Sequence, residues 1–190
     1  MSSERMAAVI WIGGTVTKRL VAPLCRAICK SSVRLEWADA QFKPQNANQL
    51  LEALDDYGGV PALRLNDDQA TWGEFATLEK FLRRHRLSFT RRSDGKYDYE
   101  AELVEFRPGC DLVCTRTDAS GEPTLGTERV VEALELLKKS RASLKQGKQP
   151  TRWLARAQRV LEGALPPDLP PLEPFEIEGI ISPNATNTGD

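Results

Sequence analysis

Four cysteines are the first residues in this chain whose type and spacing suit chemistry. They fall into two pairs, Cys25/Cys29 and Cys110/Cys114, each spaced C-x3-C. Structural zinc sites favour tight C-x2-C or C-x4-C turns. Cys25 and Cys29 lie in a helix-like run, where positions i and i+4 share a face. Cys110 and Cys114 lie near the start of a strand-like run. A metal would need the two pairs to converge, and spacing alone does not arrange that. The four thiols therefore read first as small buried hydrophobes and only weakly as a metal site. No metal or other cofactor is expected.

The single histidine, His85, sits in Arg83-Arg84-His85-Arg86. A Ser-His-Asp or Cys-His mechanism needs the imidazole beside a nucleophile. Nothing in the sequence supplies one, and the setting is that of a surface residue at a helix end. One histidine also excludes multi-histidine metal sites. Asp67 and Asp68, with Glu74 after them, are carboxylates of the kind that hold magnesium at strand ends. They fit equally a turn and a first helical turn, where the helix dipole favours acids. Asp98, Glu100, Glu102 and Glu105 read as the solvated face of a strand.

Gly13-Gly14-Thr15-Val16-Thr17-Lys18 joins an apolar run to a helix-like run. Glycines there would let backbone N–H groups approach an anion at a helix N-terminus. Gly13, Gly14, Thr15, Thr17 and Lys18 are therefore anion-binding candidates. The spacing matches neither G-x-x-x-x-G-K-[ST] nor G-x-G-x-x-G, and a tight strand-to-helix turn explains the glycines as well.

Basic residues give the broadest pattern. Arg83, Arg84, Arg86, Arg91, Arg92 and Lys96 form one cluster. Lys138, Lys139, Arg141, Lys145, Lys148, Arg152, Arg156 and Arg159 form a second, with no acid among them. Such density favours phosphate contacts through counterion release. Trp153 is the lone aromatic of the second cluster, so base stacking is not indicated.

These groups must be held by elements. The chain has 190 residues, 41% hydrophobic and 28% charged, which is the composition of an ordinary globular domain. No apolar run reaches the roughly 18 residues of a membrane span. The apolar start, Ala7 to Ile12, is too short for an export signal, so a cytoplasmic setting with reduced thiols is expected. The net charge of -1 conceals an asymmetry. Residues 165–190 hold five acids and no base, so residues 1–164 carry 26 bases against 22 acids.

Ala7 to Ile12 reads as a strand ended by Gly13-Gly14, and Thr17 to Lys30 as an amphipathic helix capped by Thr17 and weakened by Pro23. Val33 to Trp37 alternates as a half-buried strand. A short helix capped by Asn46 or Asn48 runs through Leu54, and Val60 to Leu65 is a strand with Pro61 at its start or edge. Asn66-Asp67-Asp68 reads as a turn. Thr71 to His85 reads as a helix opened by a Thr71/Glu74 capping box. Leu87 to Arg92, a turn at Ser93-Asp94-Gly95 and a return strand from Tyr97 suggest a hairpin. Leu103 to Phe106 and Leu112 to Thr115 add strand segments. Two helices follow, Thr127 to Lys145 and Thr151 to Leu161, with apolar stripes at Val130, Val131, Leu134, Leu137 and Leu144, and at Trp153, Leu154, Ala157 and Leu161. Pro166 to Pro174 should be extended, and the polar end after it disordered, with Ile177, Ile180 and Ile181 as an apolar anchor.

The expected class is α+β. Its core is a ferredoxin-like, split βαβ sheet with an added hairpin, two C-terminal helices and an extended Pro-rich tail. An open parallel sheet is the competing arrangement. The expected divisions are a 1–124 α+β domain, a 125–164 helical extension and a 165–190 acidic tail, extended or disordered. The leading functional expectation is a non-enzymatic interaction module binding a protein partner, with the tail as one docking segment or as a mask for the basic helices. Nucleic-acid binding through 83–96 and 138–159 is the alternative. A third is an enzyme or binder acting on a phosphorylated small molecule at Gly13–Lys18, with Asp67 or Asp68 as metal ligand or base. No membrane partner is expected.

Overall fold

The computed structural model describes residues 4–37, 40–96 and 99–180. Its central strand is β1 (Arg5–Val16), in which Met6, Ala8, Ile10 and Ile12 are buried while the intervening residues are less so. That period of two is what a strand covered more heavily on one face requires. β1 pairs antiparallel with β3 (Pro61–Thr71) on one side and with β4 (Ser88–Ser93) on the other. β2 (Leu54–Asp56) extends the sheet beyond β3, and β5 (Ala101–Phe106) and β6 (Val113–Thr117) extend it beyond β4. Every neighbouring pair along this path is antiparallel. The class is thus α+β, and the parallel-sheet alternative does not describe it.

Helices α1 (Lys18–Lys30) and α3 (Ala76–Arg84) bury Leu24, Ile28, Leu78 and Leu82 in one core with Ile10, Ile12, Leu63, Leu65 and Phe89. The short α2 (Ala47–Glu52) is capped by Asn46, whose side chain accepts from the Gln49 N–H at 3.1 Å. The chain divides into two compact units, residues 1–121 with 169–190, and residues 122–168. The second unit holds α4 (Thr127–Lys145) and α5 (Thr151–Glu162). No described helix is long and apolar enough to cross a membrane.

Several local expectations change. β1 does not stop at Gly13-Gly14 but continues to Val16, because a seventh strand, β7 (Phe175–Ile177), pairs parallel with Gly14–Val16. Sheet pairing also claims residues read as turn or helix. Asn66 and Asp67 lie inside β3 opposite Val9 and Ala8, and Thr71 pairs with Arg5. Thr71 therefore cannot open a helix. Trp72 and Gly73 take positive φ of 59° and 66°, and α3 begins only at Ala76. The expected Thr71/Glu74 box is replaced by Glu79, whose Oε1 accepts from the Phe75 N–H at 3.0 Å. Val33 to Trp37 yields one bridge, Arg34 with Asn66, in place of a strand. Leu54 opens β2 and does not extend α2. Tyr97, Asp98, Ile181 and residues 182–190 lie outside the described residues.

The Pro-rich stretch has no helix or strand before Phe175, yet it is not loose from its unit. Leu172, Phe175 and Ile177 are buried, and Ile180 packs against the same core. Each fully buried side chain of this size is worth about 1.5–3 kcal/mol. Gly13 explains itself here: a Cβ on it would lie 2.0 Å from the Glu173 carbonyl oxygen. Gly13→Ala should therefore destabilise the protein by about 1–3 kcal/mol in urea unfolding, the cost of forcing a methyl into a packed site. An unchanged midpoint would show that residues 172–174 do not press on β1.

Candidate functional site

The glycine turn proposed for an anion is already occupied by protein. The Gly14 N–H donates to the Pro174 carbonyl at 3.0 Å, and Gly14 holds φ at +93°. Thr15, Thr17 and Lys18 are exposed beside it. Thr17 stands at the N-cap position but makes no side-chain cap. The strand-to-helix junction thus spends its inner N–H on the returning chain. Arg107 holds that chain from the other side. Its buried guanidinium donates to the Pro170 carbonyl at 2.9 Å, the Phe89 carbonyl at 2.8 Å and the Thr90 hydroxyl at 3.1 Å, and pairs with Glu105 at 3.1 Å. Arg107 is not conspicuous in the sequence, since a lone arginine at a strand end carries no mark of burial.

The first basic cluster splits into two kinds of residue. Arg91 is 3% exposed. Its Nε lies 3.0 Å from Glu79, and its Nη1 donates to the Gly73 carbonyl at 2.6 Å and the Ser93 hydroxyl at 3.1 Å. Arg92 donates to the Ala119 carbonyl at 2.8 Å, and Lys96 to the Arg5 carbonyl at 3.0 Å. These three serve the sheet and its loops. Arg83, Arg84 and Arg86 are exposed, as is His85, whose ring lies 4.5 Å from that of Phe81.

The acids are similarly engaged. Asp68 pairs with Arg34, Asp67 accepts from the Gln69 N–H at 2.9 Å, Glu102 reaches Arg91 and Glu100 reaches Arg116. Glu74 lines a cleft of about 360 Å³ together with Arg5, Lys30 and Asp67. Among the described residues no three His, Cys, Asp or Glu side chains gather as a metal site. Cys25, Cys29, Cys110 and Cys114 are all free thiols. Burial pushes the Cys25 and Cys114 thiols up, which keeps them in the unreactive protonated form at neutral pH.

The second unit carries a different kind of surface. α4 and α5 are joined by the short connection 146–150 and run antiparallel, with Arg156 3.8 Å from Glu132 and Lys139 5.6 Å from the Trp153 ring. Their mutual contact buries Ala133, Leu136 and Ser140 of α4 and Ala157 of α5. The expected stripes therefore divide: Ala157 of α5 lies in the contact and Trp153 is half-buried, while Val130, Val131, Leu134, Leu137 and Leu144 of α4 and Leu154 and Leu161 of α5 are exposed. Leu134 and Leu137 follow the buried Ala133 and Leu136 by one residue, Val130 lies one turn before Leu134, and Leu144, Leu154, Leu161 and Leu165 follow the half-buried Ser143, Trp153, Val160 and Ala164 by one. One residue is 100° of helix rotation. In an antiparallel pair, equal one-residue offsets turn both stripes to the same side. These seven side chains are between 38% and 59% exposed.

The opposite side of the hairpin is charged. Arg129, Arg152, Arg156 and Arg159 line an open cleft of about 560 Å³. Glu132 sits 3.8 Å from both Arg129 and Arg156 and offsets part of that charge. Lys138 pairs with Glu135 at 2.7 Å, while Lys139, Arg141, Lys145 and Lys148 are exposed. The two expected basic clusters lie in different units.

No protein-family model, curated protein or solved structure matches the chain.

Arg91 is the cation whose loss should cost most. Arg91→Ala leaves Glu79 buried without its partner and should destabilise by about 3–5 kcal/mol, whereas Arg83→Ala should stay within about 0.5 kcal/mol. Burial raises the Glu79 carboxyl above its ordinary value, outweighing Arg91. The folded state thus binds that proton more tightly, so its contribution is full below the ordinary carboxylate pKa and is lost as pH rises through the raised one. The stability advantage of wild type over Glu79→Gln should accordingly be largest near pH 4 and narrow toward neutrality in urea titrations. An advantage that grows with pH would contradict this.

Proposed function

We propose that the chain is a non-enzymatic protein-interaction module whose α4–α5 hairpin presents its apolar side to a protein partner. The observation that carries this reading is the row of seven large, exposed apolar side chains on one side of that hairpin. Contiguous apolar surface of this kind is characteristic of a protein–protein contact, and an amphipathic helical surface is its natural complement. Lys138, Arg141 and Lys145 lie on the same helix as the stripe, so a partner with acidic residues around an apolar centre fits best. The C-terminal segment has a different role. Its apolar residues Leu172, Phe175 and Ile177 are used within its own unit, which supports self-docking over capture of another protein.

The scaffold is best read as a split βαβ, ferredoxin-like core. β3 lies between β1 and β2, and β1 lies between β3 and β4, with β5 and β6 as the added strands. Four free cysteines suit a reducing, cytoplasmic setting.

Substitution on the apolar side tests the reading directly. Leu137→Glu and Leu154→Glu should each change unfolding free energy by less than about 0.5 kcal/mol, because the sites are exposed. The same variants should lose the partner that wild type retains in crosslinking and affinity purification. Marked destabilisation, or an unchanged partner set, would overturn the proposal. A second reading, nucleic-acid binding, draws support from the four-arginine cleft. It requires oligonucleotide binding that weakens steeply with salt, and absence of binding at about 50 mM salt removes it.

A further inference from the structure

We infer that the groove between α1 and α3 is a docking site for an acidic, amphipathic peptide segment of a protein partner. This site lies in the first unit and is independent of the hairpin surface.

Each helix turns its apolar stripe to the core and leaves a pair of cations spaced i, i+4 on its outer side. In α1 these are Arg26 and Lys30, and in α3 they are Lys80 and Arg84. All four are exposed and line one groove of about 350 Å³. Ala27 and Phe81 form its apolar floor. No acid lines it. Among the described residues none of the four cations has an ion-pair partner, whereas Arg34, Arg64, Arg91, Arg107 and Arg116 each do. Like charges at i, i+4 on a helix cost a few tenths of a kcal/mol per pair. Two such pairs facing one groove concentrate positive charge, and among the described residues no carboxylate lines that groove.

The ligand class follows from what the groove offers. Its walls are helix flanks, and apart from Thr77 in the first turn of α3 their backbone N–H groups are consumed within the helices, so there is no backbone nest to cradle a compact phosphate. Phe81 is half-buried and its ring lies against His85, so it offers no open face on which a base would stack. What remains is an apolar floor between two rows of flexible cations. An amphipathic peptide meets both demands, with apolar side chains on the floor and carboxylates at i, i+4 spacing toward the rims. Of the four cations only Arg84 stands out in the sequence, as part of a basic run. Arg26, Lys30 and Lys80 do not, because the four meet only across two helices.

Fluorescence anisotropy with the full chain tests this. The probe is a labelled peptide of about 14 residues with leucine on one helical face and glutamate on the other. Its Glu-to-Gln counterpart and an oligothymidine of about 20 nucleotides serve as comparison ligands. At about 50 mM salt, wild type should bind the glutamate peptide at least about tenfold more tightly than the glutamine peptide or the oligonucleotide. The Arg26→Glu/Lys80→Glu pair should lose about tenfold in affinity, and the milder Arg26→Ala/Lys80→Ala pair should lose affinity while keeping the wild-type circular dichroism. In a Leu137→Glu background, which removes hairpin binding, the Arg26→Glu/Lys80→Glu pair should still cost about tenfold, which separates this site from the hairpin. Failure to bind the glutamate peptide, wild-type affinity in either groove variant, preference for the oligonucleotide, or no further loss from the groove pair in the Leu137→Glu background would each overturn the inference.

Discussion

Backbone meets backbone where residues 172–174 cross Gly13 and Gly14, and the first unit is organised around that approach. A parallel pairing of β7 with the end of β1 brings the two chains too close for a Cβ at position 13. Packing therefore accounts for Gly13, and the +93° φ of Gly14 for the second glycine. The same contact explains why β1 is long. Its antiparallel partners stop at Leu63 and Ser88, opposite Ile12 and Gly13, and β7 takes up the pairing from Gly14 to Val16. Without residues 169–177 the last residues of β1 would be left as an unpaired edge, and the apolar surface that receives Leu172 and Phe175 would face water.

Arg107 and Arg91 show how such a sheet keeps buried charge. Each guanidinium is almost wholly covered, and each is surrounded by carbonyl oxygens, hydroxyls and a carboxylate. Arg107 hydrogen-bonds through all three of its nitrogens, whereas the Arg91 Nε lies 3.0 Å from Glu79 without hydrogen-bond geometry and relies on that carboxylate, since a bare charge in this setting costs several kcal/mol. The two residues act at different places. Arg107 ties the Pro170 carbonyl to β4 and the end of β5, and Arg91 ties α3 through Glu79 to the Gly73 turn and β4. Positive charge in this unit thus has two fates: some of it is consumed in fixing loops and strap, and some, on the outer flanks of α1 and α3, makes no ion pair among the described residues.

The sequence shows the elements that are periodic and local, and hides those defined by distant pairing. The stripes of α1, α4 and α5, and the compact β-branched apolar run of β1, give their positions directly. Thr71 and Glu74 have the spacing of a helix start, but Thr71 is captured across the sheet by Arg5, far away in sequence. No window around Thr71 contains that information. β7 is short and follows a proline run, so its three residues carry no period that sets them apart from a tail. Arg91 falls in a run of bases and looks like its neighbours until Glu79 and Glu102 are placed around it. In the hairpin the reverse occurs. The apolar stripes are visible, and a stripe by itself is taken to face a core, yet Ala133, Leu136, Ser140 and Ala157 make the contact and most of the striped leucines are left exposed.

That last point bears on what the helices are for. Ala133, Ser140 and Ala157 let α4 and α5 approach closely while contributing little apolar area of their own, and Leu136 supplies the large buried side chain. A hairpin built to stabilise itself would place more of its leucines at such positions. Here leucines flank the contact on one side, and on the other Arg129, Arg152, Arg156 and Arg159 line one cleft, with Glu132 close to Arg129 and Arg156. The charged side is thereby partly satisfied within the unit, and the apolar side is not. The imbalance runs opposite to that of the α1–α3 groove, where the apolar stripes are satisfied and the cations are not. The near-neutral total charge of the chain is consequently a poor guide to its surfaces, since each unit leaves a different kind of group unmatched and so calls for a different contact.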